Sequence, residues 1–191
     1  LTGIEDFIAL TTLNCYYNQL TSLDVSNNTA LTTLYCNNNQ LTSLDVSNNT
    51  ALATLYCFYN QLTSLDVSGA TALTTLYCFY NQLTSLDVSG ATALTSLWCN
   101  NNQLTSLDVR NGNNTNLTNS YFGCTNNPNL ICIDVDDVAW ADTNWTVANG
   151  NIDSTMSFST NCATAYGCMD TLACNYDSIA TIDDGSCLTA Y

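Results

Sequence analysis

The stretch NQLTSLDVSNNTALTTLYC, residues 18–36, returns in near-copies that begin at Asn39, Asn60, Asn81 and Asn102. Aligned on leucine, Leu10, Leu31, Leu52, Leu73 and Leu94 recur with a period of 21 residues. Each period holds two apolar half-patterns: LTTLYC, with Leu31, Leu34 and Cys36, and LTSLDV, with Leu41, Leu44 and Val46. Side chains alternate across an extended strand. In L-Y-C the Leu and Cys therefore face one side and the Tyr the other; in L-D-V the Leu and Val face inward and the Asp outward.

A fixed period in the range of roughly 20–29 with an L-x-x-L-x-L/C-x-x-N core is the pattern of a leucine-rich repeat solenoid. The expected fold is all-β: two short parallel strands per 21-residue coil, on opposite sides of a flattened tube, followed by a small disulfide-stapled module. One coil cannot bury its own apolar side, so neighbouring coils complete the core and like residues pile into ladders at about 4.8 Å. Asn18, Asn39, Asn60, Asn81 and Asn102 fall at tight turns, where their amides can satisfy buried backbone groups. Cys15, Cys36, Cys57, Cys78 and Cys99 recur once per coil and face inward as small hydrophobes. In-register Cβ atoms sit near the strand spacing, too far apart for a disulfide's roughly 3.8 Å, so this column is expected to remain free thiols.

Composition narrows the function. The 191 residues carry one basic side chain, Arg110, against 16 acidic ones, for a net charge of −15. Such a field disfavours nucleic acid and anionic membrane surfaces and attracts divalent cations and basic partners. No apolar run approaches the roughly 18 residues of a membrane span. There is no His, which removes the commonest general base. No phosphate loop, nucleophile–base pair or isolated carboxylate pair is present, and no catalytic residue is expected. The chain opens at Leu1 in mid-pattern and reads as a fragment of a longer precursor. Cys124, Cys132, Cys162, Cys168, Cys174 and Cys187 are irregular and even in number, the pattern of a disulfide framework in an oxidising, extracellular setting. Cys124 and Cys132 are expected to pair; the pairing of the other four is open.

Three constellations could carry binding. Asp24, Asp45, Asp66, Asp87 and Asp108 form an acidic row whose neighbours repel by about 1 kcal/mol in water. Hydroxyls such as those of Ser22 and Ser26 are the expected support, with Ca2+ as the alternative ligand. Arg110 ends the row. On the other face, Tyr35, Tyr56, Tyr77 and Trp98 point outward, joined after the cysteine by Phe58, Tyr59, Phe79 and Tyr80, and in the first coil by Tyr16 and Tyr17. A contiguous apolar patch of this size on a soluble chain marks a contact surface. In the tail, Asp170, Asn175, Asp177, Asp183 and Asp184 surround a DDGSC turn and are the candidate calcium ligands.

LTTLYCNNNQLTSLDVSNNTA resembles the 21-residue leucine-rich repeats of secreted and surface proteins of Bacteroidota. Residues 124–162 resemble the C-terminal cap that follows those repeats. The segment YGCMDTLACNYDSIATIDDGSC, residues 166–187, resembles a short GCxDxxAxNY…DDGSC module of the same exported class. The resemblance implies export to the cell surface or medium, often by the type IX route, whose sorting domain is not in this sequence. It also implies O-glycosylation, at Ser154, Thr171 and Ser178. The expected organisation is a solenoid over 1–116, a cap over 117–162 and a cysteine-rich acidic module over 163–191. The expected function is a non-enzymatic extracellular adhesion or scaffold protein that binds protein or glycan through its aromatic face. A head-to-tail filament subunit and a secreted carbohydrate-binding module are the alternatives.

Overall fold

A computed structural model describes residues 3–163, 166–176, 182–183 and 185–188. The repeats build a parallel-strand solenoid of about 7 turns with ~21-residue coils and very little helix. In chain order the strands are β1 (Thr12–Asn14), β2 (Thr33–Tyr35), β3 (Ser43–Asp45), β4 (Thr54–Tyr56), β5 (Ser64–Asp66), β6 (Thr75–Tyr77), β7 (Ser85–Asp87), β8 (Ser96–Trp98) and β9 (Ser106–Asp108). The cap adds β10 (Phe122–Gly123), β11 (Cys132–Asp134), helix α1 (Val138–Asn144) and β12 (Ser157–Ser159). Two compact units divide the chain, Leu1–Thr160 and Asn161–Tyr191. The second contains the parallel pair β13 (Tyr166–Gly167) and β14 (Ile182–Asp183).

One sheet runs unbroken in the order β1-β2-β4-β6-β8-β10. Its register pairs like with like: Leu34 with Leu55, Leu55 with Leu76, and Tyr56 with Tyr77. Leucine, cysteine and valine columns such as Leu34, Leu55, Leu76 and Leu97 are fully buried. Each inward leucine contributes roughly 1.5–3 kcal/mol by leaving water.

The opposite side is less regular than two strands in every coil. Leu23–Val25 forms no strand, and the remaining strands fall into two sheets, β3-β5 and β7-β9-β11-β12. Val46 N–H reaches Asp66 O at 3.0 Å and Val88 N–H reaches Asp108 O at 2.9 Å, but no such bond joins β5 to β7. This is the side that bears the carboxylate row, and like charges directly opposite one another weaken pairing. An open cavity of about 550 Å³ lies over this face, against Ser64, Leu65 and Asp66 on one coil and Ser85 and Asp87 on the next.

The asparagine ladder forms as expected and has one more member. Asn81 Nδ2 donates to Cys57 O at 3.1 Å and Cys78 O at 3.0 Å, while its Oδ1 accepts from Leu62 N–H at 2.9 Å. Asn39, Asn60 and Asn102 repeat the arrangement, and Asn127 extends it into the cap by bonding Cys124 O and Leu104 N–H. A second ladder of Asn28 and Asn49 ties the opposite turns, with Asn49 Nδ2 on Val25 O and Asn28 O. The next two coils place Ala70 and Ala91 there, preceded by glycine. A Cβ on Gly69 would fall on the Ser47 carbonyl oxygen, so only glycine permits that turn to close without the asparagine bridge.

Cys124 departs from the sequence reading. It is a free, fully buried thiol that contacts Asn151 O at 3.5 Å and Met156 Sδ at 3.8 Å. Its place is the sixth rung of the inward cysteine column, because β10 pairs with β8 in the position of the next coil. Cys174 is also free and is exposed. Cys168 bonds Cys187, and Cys132 and Cys162 are disulfide-bonded as well. The cap closes the core with Trp145, whose ring stacks on Phe122 at 3.9 Å and whose Nε1–H donates to Leu117 O at 2.8 Å. Asp137 caps α1 by accepting from Trp140 N–H at 3.0 Å.

Candidate binding face

Outward residues of the unbroken sheet and of the turn after it make three columns of rings. Tyr56 stacks on Tyr77 at 4.7 Å with planes 3° apart. Phe58 stacks on Phe79 at 4.5 Å and 8°, and Tyr59 on Tyr80 at 4.6 Å and 8°. Tyr35 extends the first column at 4.9 Å with a 35° tilt. Edge-to-face contacts of 5.8–5.9 Å join the second and third columns. Trp98 continues the first column and lies over Gly123, where any Cβ would meet its ring.

Stacking along the solenoid axis sets what this face presents. Within these stacked pairs the rings cover one another's faces, and the outward surface consists of ring edges, which carry the positive end of the aromatic quadrupole, and phenol hydroxyls. Burial raises the Tyr56 hydroxyl above its ordinary pKa, with Tyr77 and Tyr35 adding to the effect. Tyr59 and Tyr80 are exposed, and Tyr121, which the sequence reading does not single out, is exposed as well. Tyr121 and Ser120 help line an open groove of about 480 Å³ beside Tyr77, Phe79 and Trp98.

The third column also has an unusual backbone. Tyr17, Tyr59 and Tyr80 adopt φ of 53°, 52° and 53°, in the left-handed region, as do Asn38, Asn101 and Asn126. Asparagine enters that region readily, whereas a bulky side chain there is an outlier that costs on the order of 1–2 kcal/mol. Three tyrosines therefore stand where the fold itself is served better by asparagine.

The acidic row is built differently. Asp24, Asp45, Asp66 and Asp87 each accept, through Oδ1, the backbone N–H two residues on, at 2.8–3.0 Å. The support comes first from the backbone amide and then from the serine hydroxyl; together they lower the pKa of Asp24 and Asp66. Burial works to raise Asp108, but hydrogen bonds and charge from Arg110 outweigh it. Arg110 also lies 3.7 Å from Asp134 and donates to Thr160 O. The aspartates are thus turn-forming residues.

Among the described residues no group of three or more acidic or cysteine side chains could hold a metal ion. Asp170 Oδ1 accepts from Leu172 N–H, and Asn175 bridges Ser186 O and Leu188 N–H, so both are engaged in turns. Asp183 lies in β14, and Asp177 and Asp184 lie outside the described residues. Ser154 and Thr171 are exposed, and Ser178 lies outside the described residues.

A family model of Leucine Rich repeats (2 copies) matches residues 8–50 and 71–112, two blocks of the coils described above. The two matched blocks are leucine-rich repeats. Solved structures similar to this chain include the functional domain of InlJ from Listeria monocytogenes, which includes a cysteine ladder. That match has 36% identity over 71% of this chain and 32% of the other, with a TM-score of 0.43. An internalin, InlF, from Listeria monocytogenes matches at 22% identity, 81% and 48% coverage, and a TM-score of 0.42. YopM, a leucine-rich effector protein from Yersinia pestis, matches at 20% identity, 66% and 37% coverage, and 0.41. The chain thus spans about a third to a half of the length of these structures. No curated protein sequence matches it.

Proposed function

We propose that this chain is a non-enzymatic scaffold, working at the cell surface or outside the cell, that binds a protein partner through its aromatic face. The observation that carries the reading is the exposed tyrosine column at 17, 59 and 80, held in left-handed backbone that favours asparagine. A costly residue on the surface of a repeat is explained by what it touches, and Tyr is a preferred anchor at protein interfaces. The disulfides at Cys168–Cys187 and at Cys132 and Cys162 support an oxidising compartment.

Of the alternatives, a sugar platform fits the face less well, because stacking on a pyranose needs an open ring face and the central rings cover one another. Head-to-tail filament growth through the end of the repeats is disfavoured by the cap, where Phe122 and Trp145 fill the last coil.

The test is binding of the full chain and of a Tyr59→Ala/Tyr80→Ala variant to a displayed panel of extracellular proteins. A partner that binds the wild type and loses at least tenfold in affinity for the variant, at unchanged thermal stability, supports the reading. A partner bound equally by both overturns it.

A further inference from the structure

The aromatic columns have a gap, and the gap is a site. After the cysteine, the second coil carries Asn37 and Asn38 where the third and fourth carry Phe58, Tyr59, Phe79 and Tyr80. Tyr16 and Tyr17 of the first coil stand on the far side, their rings packed edge to face at 5.4 Å. One rung is therefore missing between Tyr16 and Phe58. Consecutive rungs are 4.5 Å apart where rings are present, so the missing one leaves a slot of about twice that width, roughly 9–10 Å from ring position to ring position at the ~4.8 Å strand spacing. The cavity there measures about 270 Å³ and is lined by Tyr16, Tyr17, Tyr35, Asn37, Asn38 and Phe58, among others. A planar group at its middle would stand from each wall at the distance already seen between stacked rings.

The floor of the slot is polar: Asn37, 7% exposed as a residue, lines it beside Asn38, and a carboxamide can both donate and accept. The Phe58 ring has no stacked neighbour on this side, and ring faces carry the negative end of the quadrupole.

We infer that this slot receives the guanidinium of an arginine from a basic protein partner, sandwiched between the rings of Tyr16 and Phe58 and donating to Asn37. The inference rests on the protein-binding reading of the face above. Guanidinium is planar, stacks on aromatic faces and offers five donors in a fork; an ammonium group shares only the charge. The chain's net charge of −15 favours a cationic partner over a neutral ring or sugar. Arg110, the one basic residue of these 191, is bound to Asp108 and lies beside Asp134, so it is not free to enter the slot.

The experiment titrates the full chain with end-blocked Gly-Arg-Gly peptide and follows the Asn37 side-chain amide and the Tyr16 and Tyr17 rings by NMR. Lysine and tyrosine versions of the peptide and a neutral gluco-oligosaccharide serve as competitors. Saturable shifts with the arginine peptide, binding at least fivefold weaker with lysine, and weakening in high salt are expected. The double variant Asn37→Phe/Asn38→Tyr completes the columns with the residues of the next two coils, so it folds while filling the slot, and it abolishes the shifts. Absence of saturation, tighter binding of the tyrosine peptide or the oligosaccharide, or unchanged binding in the filled variant overturns the inference. A protein partner that ignores the filled variant but is lost on Tyr59→Ala/Tyr80→Ala removes the slot and leaves the face.

Discussion

Replacing Asn81 by alanine removes three short hydrogen bonds from the middle of the solenoid, and a long one of 3.5 Å to Phe79 O, which keeps Tyr59 N–H. The losses are unequal. Leu62 N–H has no other acceptor and lies in a fully buried residue, so its orphaning costs about 1–3 kcal/mol. Cys57 O keeps the Asn60 amide and Cys78 O keeps the Asn102 amide, so each carbonyl loses only one of two donors, about 0.5 kcal/mol apiece. The sum is roughly 2–4 kcal/mol, a large share of the 5–15 kcal/mol of an ordinary domain. Asn18 occupies the same turn in the first coil but, among the described residues, its side chain bonds only Cys15 O and Tyr16 O. Cys15 O also keeps Asn39, so Asn18→Ala should cost about 1 kcal/mol or less. Urea unfolding followed by circular dichroism compares the two, read as midpoint shifts at constant m-value. Equal costs for the two variants would refute the bridging account of the ladder.

Other outcomes follow from the same coordinates. A thiol reagent should modify one cysteine in the native chain, Cys174, and seven in denaturant, because the six ladder thiols are buried; rapid native labelling of Cys57 or Cys78 contradicts the column. Burial pushes Cys78 up to about 12 from 9.0. The protonated thiol is favoured in the folded state, so this stability is complete below pH 9.0 and lost as pH rises through 12; Cys78→Ala should flatten the alkaline limb of a stability–pH curve. Gly69→Ala should destabilise by about 2 kcal/mol or more, since the new methyl meets backbone that cannot swing aside. Asp66→Asn keeps an acceptor for Ser68 N–H but loses the charge that strengthens that bond and lowers the carboxyl's pKa, so its midpoint at neutral pH should equal or fall below wild type. The lowered Asp66 carboxyl contributes stability above pH 3.8 that is lost as pH falls through its folded value, so the same variant should show a shallower acid limb.

The 21-residue period was legible because identical apolar spacing in every coil admits one register, and Leu34, Leu55 and Leu76 are buried as the alternation requires. The sixth cysteine rung was legible too, in a signal that the even cysteine count obscured: Asn127 follows Cys124 by three residues, as Asn18 follows Cys15. The left-handed tyrosines could be inferred from Asn38 and Asn101 at equivalent positions, since asparagine marks such backbone. The parted second sheet was not legible, because LTSLDV reads alike in coils that pair and coils that do not. Nor was the direction of ring stacking: alternation says that Tyr56 faces out, but whether its face or its edge meets solvent depends on Tyr77 beside it.

The central claim is that successive coils lie in step, so that like side chains form columns. Aromatic-labelled NMR measures this most directly through contacts between Phe58 and Phe79, whose ring centroids are 4.5 Å apart, and between Tyr56 and Tyr77 at 4.7 Å. The account predicts strong ring-to-ring cross-peaks within both pairs and none from Phe79 to the methyls of the buried Leu55. A Phe79 ring that contacts Leu55 and not Phe58 would mean that the coils are out of register, and both the aromatic face and its slot would be lost with that result.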